Sequence, residues 1–121
     1  MTYTCISREF SLKNEDQYNT IGQCWDEMAA IYGLENLLGF GYKWQGGKIS
    51  YAIGLKNGDI DGYNTRIEIP DGQWETACGK TDDLKQIYDE IYALGALDFE
   101  IEAFFENGDC EIRYLRAASK N

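Results

Sequence analysis

Apolar and polar positions along this chain change period in an order that occurs twice. Residues 3–12 (Tyr3 to Leu12) alternate as a strand does, and Asn14, Glu15 and Asp16 then form a polar break. Ile21, Cys24, Trp25, Met28 and Ile31 or Tyr32 follow at helical spacing on one apolar face, with Gly33 as a stop. Leu37 to Trp44 and Lys48 to Leu55 return to β-rich composition around Gln45-Gly46-Gly47-Lys48, a Gly-Gly hairpin signal. Turn residues gather at Asn57-Gly58-Asp59 and Asp61-Gly62.

The second pass begins with a strand over Asn64 to Ile69, breaks at Pro70-Asp71-Gly72, where the only proline does least harm, and resumes from Trp74 to Cys78. Thr81 is placed to cap a helix with Asp82 and Asp83 in its first turn. Leu84, Ile87, Tyr88 and Ile91 make the buried face of that helix, and Gly95 closes it. Phe99 to Phe105 and Cys110 to Leu115 form a last hairpin around the two-residue turn Asn107-Gly108.

The two passes share sequence as well as order. Gln23-Cys24-Trp25-Asp26-Glu27-Met28 recurs 63 residues later as Gln86-Ile87-Tyr88-Asp89-Glu90-Ile91, and the hairpin turns lie 61 residues apart, Gln45 against Glu106. Such self-similarity decides architecture. It predicts one domain over 1–121, built from tandem strand-helix-strand-strand modules of about 1–58 and 62–117. The fold class is α+β with pseudo-twofold symmetry: antiparallel sheet, two helices on one face, and a cleft between the halves where a ligand site is expected.

With 121 residues the chain is long enough for a continuous core, although each half alone would be marginal. Its net charge of −10 comes from 21 acidic against 11 basic residues. The basic residues do not cluster, so the footprint of a nucleic-acid binder is missing and a cation is the expected charged partner. The chain has no histidine, and its four cysteines, Cys5, Cys24, Cys78 and Cys110, are widely spaced. No metal site, cofactor or His-dependent catalytic group is therefore expected, and the thiols read as free, with Cys24 and Cys78 as buried small residues. Without the basic and long apolar regions of a secretory signal or a membrane-length run, the expected location is the cytoplasm, away from membranes.

Carboxylates on the penultimate strand carry the first candidate chemistry. Period-two geometry sets Asp98, Glu100, Glu102 and Phe104 on one face and Phe99, Ile101, Ala103 and Phe105 on the other. The apolar set is expected to meet a helix, leaving the acidic set facing either water or the groove. Glu68 and Glu111 are further acids with a plainer solvent reading. Aromatics are the second feature: three tryptophans and nine tyrosines. Rings beside a carboxylate hold large organic cations, each face worth about 0.5–2 kcal/mol. Trp25 and Tyr88 occupy the same position in the two copies, where core packing and a view across the cleft both remain open, and Tyr51 and Trp74 are additional candidates.

These residues resemble a known family. Tyr51-Ala52-Ile53-Gly54, Ile69-Pro70-Asp71-Gly72-Gln73-Trp74, the Ile87-Tyr88-Asp89-Glu90 helix and Phe99-Glu100-Ile101-Glu102-Ala103-Phe104 together are similar to the gyrase-inhibitor-like small-molecule-binding domain. That domain is the effector-binding part of many bacterial drug-responsive regulators and also occurs alone, including in cationic-drug-binding proteins of integron cassettes. The resemblance implies a ligand between the modules and a glutamate, followed two residues later by an aromatic, at the cationic centre. Glu102-Ala103-Phe104 fits that spacing, so Glu102 is the first choice, with Glu100, Trp25, Tyr51, Trp74, Tyr88 and Phe104 as further ligand-binding candidates. Trp74 stands where the family usually carries tyrosine. No helix-turn-helix accompanies the domain, so a role in transcription regulation rests on its being part of a longer regulator.

The expected function is binding of amphipathic, cationic, aromatic small molecules without turnover or catalytic residues. Two alternatives stay open: a hydrolase of electrophilic natural products using Glu100 and Glu102, and an acidic module that sequesters a basic protein. Exposed edge strands leave room for a homodimer.

Overall fold

The structure, a computed structural model, describes residues 2–117. Strand β1 (Thr2–Ser11) leads through a 3-10 turn into helix α1 (Gln17–Tyr32), then β2 (Leu37–Gln45) and β3 (Lys48–Leu55). A short β4 (Thr65–Glu68) precedes β5 (Glu75–Lys80), α2 (Leu84–Ala93), β6 (Leu97–Phe104) and β7 (Asp109–Arg116). All seven strands join one antiparallel sheet in the order β4-β1-β3-β2-β6-β7-β5.

That order displays the repeat. The modules β1-α1-β2-β3 and β5-α2-β6-β7 meet at β2 and β6, where Gly39 pairs with Glu102, Phe40 with Ile101 and Gly41 with Glu100. The 61-residue offset carries 39, 40 and 41 onto 100, 101 and 102, so the local twofold passes through the Phe40–Ile101 pair. Strand β4 follows the first module in sequence and bonds to β1 at its outer edge.

Local chemistry sets the element ends. Gly46 and Gly47 both take positive φ, 60° and 73°, as a two-residue hairpin between β2 and β3 demands. The second hairpin differs from the expected Asn107-Gly108 turn. Gly108 N–H bonds Phe105 O at 2.9 Å, and only Gly108 is left-handed, at 89°. Asn107 instead turns its side chain to the Asp109 N–H at 3.0 Å, which holds a longer loop. Thr81 does not cap α2: its hydroxyl reaches Asp109 O at 3.4 Å, and α2 starts at Leu84. In α1, Ile31 is exposed and Tyr32 is the residue that turns inward.

Both helices cover one face of the sheet. Trp25 of α1 packs with Ile49, Tyr51, Ile53 and Phe104, and Tyr88 and Ile91 of α2 pack with Leu97, Ile112 and Tyr114. The opposite face holds Cys5, Leu38, Phe40, Phe99, Ile101 and Ala103. This reverses the expectation for β6: its apolar set turns away from the helices and its acidic set turns toward them.

The reason is the connection from β4 to β5, which joins the two outermost strands. Seven strands at about 4.8 Å spacing make a flat sheet about 29 Å wide, whereas the seven steps from Glu68 to Glu75 reach at most about 25 Å. The sheet must therefore curl, and residues 69–74 cross its helix-free face, where Ile69 and Trp74 close the second apolar core. Asp98 leaves the acidic row for a local reason as well. An extra residue between the Leu97–Arg116 and Phe99–Leu115 pairs bulges β6, so that Leu97 enters the α2 core and Asp98 is exposed.

All four cysteines are unpaired, and Cys78 is exposed on the edge strand β5 rather than buried. Cys24 is half-buried beside the α1 core. Among the described residues no helix is long and apolar enough to cross a membrane.

Candidate ligand-binding site

Between α1 and α2, above the β3-β2-β6 floor, lies a groove of about 940 Å³. It separates the two apolar clusters of the helix face, and the seam between them is polar. Glu100 and Glu102 stand there, 3% and 4% exposed.

Three elements converge on Glu102 of β6. Trp25 Nε1 of α1 donates to Tyr51 Oη of β3 at 2.8 Å, and Tyr51 in turn donates to Glu102 Oε1. From α2, Tyr88 Oη donates to Glu102 Oε2 at 2.6 Å. Equivalent positions in the two copies, Trp25 and Tyr88, thus reach one carboxylate from opposite sides, Trp25 through Tyr51. The rings make walls around it: Phe104 meets Trp25 edge-on at 4.7 Å, and Tyr92 stacks on Tyr88 at 5.6 Å.

The space for these side chains comes from glycine. A Cβ at Gly39 would stand 2.7 Å from Trp25 Cζ2 and from Tyr51 Cζ, nearer still to the Tyr51 hydroxyl; one at Gly41 would stand 2.7 Å from Glu100 Cγ. By the 61-residue offset, Gly39 and Gly41 are the counterparts of Glu100 and Glu102. One copy supplies carboxylates and the other supplies the room they occupy.

Electrostatics follow from burial. Desolvation pushes the Glu100 carboxyl well above the usual range; the Glu102 charge adds to this, and a hydrogen bond with Tyr88 pulls against it. Glu102 is also raised by burial, opposed by hydrogen bonds from Tyr51 and Tyr88. Burial first, and then the carboxylates, hold both phenols well above their ordinary range, so they remain neutral donors. At the mouth, Lys85 bridges Glu15 at 3.1 Å and Asp89 at 2.9 Å, and Asp26, Asp82 and Glu106 add negative charge. Lys85 is the one lysine or arginine among the described groove-lining residues.

Of the residues proposed from sequence, Glu100, Glu102, Trp25, Tyr51, Tyr88 and Phe104 all line this groove. Trp74 does not. It lies on the helix-free face, edge-on to Phe99 at 6.1 Å with its indole N–H on Pro70 O at 3.1 Å, because the crossing segment carries it there. Glu68 is exposed, and Glu111 lies 3.5 Å from Arg113 on β7. Sequence reasoning passed over Tyr18 and Tyr92, which line the groove, and Gly39 and Gly41. Their signal was the Gly-x-Gly spacing inside a strand, a mark of close approach by another group. Among the described residues no group of three or more His, Cys, Asp or Glu side chains is placed to hold a metal.

No protein-family model matches the chain, and no curated protein does. Among solved structures it is similar to SAV2435 bound to tetraphenylphosphonium, with a TM-score of 0.68 and 18% identity, over 98% of this chain and 89% of that one. The two chains share a fold. The correspondence runs through both modules of this chain.

Proposed function

We propose that the groove binds amphipathic, cationic, aromatic small molecules and returns them unaltered. The observation that carries this is a pair of buried carboxylates on the floor of an aromatic-lined groove where Lys85, the one cationic side chain among the described lining residues, is held at the mouth by Glu15 and Asp89. A cation entering there gains ring faces and unneutralised negative charge together. The acidic mouth raises its local concentration. At about 940 Å³ the groove lies within the size range of small-molecule sites, about 300–1,000 Å³. The resemblance to gyrase-inhibitor-like domains and the fold shared with SAV2435, solved with a lipophilic phosphonium, support the same reading. Such a module serves alone or as the effector-binding part of a longer regulator.

Tryptophan fluorescence titration tests it. Tetraphenylphosphonium should quench Trp25 saturably, and the Glu100→Gln/Glu102→Gln double variant should lose about 2–5 kcal/mol of binding. Equal affinity in that variant would refute charge recognition. A hydrolase is the second reading, favoured by the unequal surroundings of the two carboxyls. Mass spectrometry of electrophilic ligands after incubation separates the two, since a binder returns its ligand unchanged.

A further inference from the structure

The two carboxylates are not equivalent. Glu102 has both oxygens engaged, one by each phenol. Both phenols donate to its charged form and pull against the burial that raises it, which favours Glu102 as the ionised member of the pair. Glu100 is as deeply buried and lines the same groove, yet its Oε2 has no hydrogen-bond partner. Tyr88 bears on Glu100 as well, but its one hydroxyl proton goes to Glu102. A second bare carboxylate beside the first is the costliest way to fill this floor.

The groups around Glu100 supply no positive charge. It is faced by Tyr18 from α1, Tyr51 from β3, Tyr88 and Tyr92 from α2, and Glu102 from its own strand, while Tyr114 lies opposite on β7 and Gly41 on β2. None of these is a cation. Burial pushes the Tyr18 phenol up to about 12 and holds Tyr51, Tyr88 and Tyr92 high, so across neutral pH only the two carboxyls can exchange a proton.

We propose that Glu100 carries a proton in the ligand-free protein and releases it to solvent when a permanent cation enters, so that binding exchanges cation for proton. This rests on the binding function above. The Glu100 O–H bond breaks, its proton passes to buffer, and the carboxylate left behind pairs with the cation. Net buried charge is one negative before and one negative after. The groove therefore never holds two uncompensated carboxylates. A neutral aromatic ligand leaves the proton in place and meets Glu100 as a hydrogen-bond donor.

Calorimetric titration of the full chain with tetraphenylphosphonium, from about pH 5.5 to 8.5 in paired buffers of unlike ionisation enthalpy, counts the protons. The expected result is release of up to one proton per cation, with affinity rising up to about tenfold per pH unit while Glu100 is protonated in the free protein. In Glu100→Gln, release disappears and affinity is flat with pH. Triphenylphosphine oxide, neutral and of similar shape, releases none. Infrared difference spectra of the unmodified protein should lose a carboxylic C=O band on cation binding, a readout that needs no variant. Cation binding without proton release at any pH overturns the exchange and leaves the binding function standing, as does undiminished release in Glu100→Gln. Failure of the cation to bind at any pH overturns the binding function, and the exchange with it.

Discussion

Gly39→Ala adds one methyl group where the site has no room for it. Gly39 is buried on β2 and its φ is not left-handed, so alanine fits the backbone and would by itself stabilise the chain by about 0.4–1 kcal/mol. The new Cβ, however, stands 2.7 Å from carbons of Trp25 and Tyr51. Ordinary contact requires a displacement of about 1 Å. Tyr51 cannot make that move freely, since its hydroxyl is tied to the Trp25 indole and to Glu102. Losing those bonds costs about 1 kcal/mol for the neutral one and about 1.5–3 for the one to the carboxylate, and overpacking adds about 1–3. Allowing for partial relaxation, the net loss should be about 2–4 kcal/mol, a fall in Tm on the order of 10 °C. Urea unfolding followed by tryptophan fluorescence measures it, and tetraphenylphosphonium affinity should fall in parallel. In a Tyr51→Phe background the same glycine change should cost at least about 1 kcal/mol less, because the most crowded atom is gone and the ring is untied. Stability within about 0.5 kcal/mol of the parent, with unchanged binding, would refute the view that Gly39 makes room for the polar chain.

Other expectations follow from the same geometry. Tyr51→Phe leaves Trp25 Nε1 and one Glu102 oxygen without their partner and should destabilise the fold by about 1–3 kcal/mol in thermal or urea unfolding. Trp74→Phe removes the bond to Pro70 O on the helix-free face and should cost about 1 kcal/mol of stability while leaving tetraphenylphosphonium affinity within about twofold. Glu100 has a folded pKa above its unfolded value of about 4.3, so its contribution to stability is full below that value and is lost as pH rises through the folded pKa. Glu100→Gln should accordingly raise Tm at neutral and alkaline pH and have least effect near pH 4; equal effects at both ends would contradict a buried, destabilised carboxylate.

The elements themselves were legible because their signals are local. Ile21, Cys24, Trp25 and Met28 at helical spacing, and Gly46-Gly47 between β-rich runs, each act within a few residues. The repeated motif also singled out Trp25 and Tyr88, which converge on the Glu102 carboxylate of the groove, Trp25 through Tyr51. Which face of β6 met the helices was not legible. Alternation separates Glu100 and Glu102 from Phe99, Ile101 and Ala103 but does not say which set points where, and on general grounds the apolar set belongs under a helix. The answer depends on residues 69–74 crossing the sheet, a contact between distant elements that follows from the strand order and not from any local pattern. Trp74 lies outside the groove for the same reason, on the other side of the sheet. Gly39 and Gly41 were visible as Gly-x-Gly, but their purpose emerges only when β6 pairs beside them and Tyr51 leans across from β3.

The most direct test is a crystal structure with tetraphenylarsonium, whose arsenic can be located by anomalous scattering without interpretation of ligand shape. The account predicts one arsenic peak between α1 and α2, over the Glu100 and Glu102 carboxylates and among the rings of Trp25, Tyr88 and Phe104. A peak in the recess beside Trp74 on the opposite face, or peaks only on the outer surface, would contradict it.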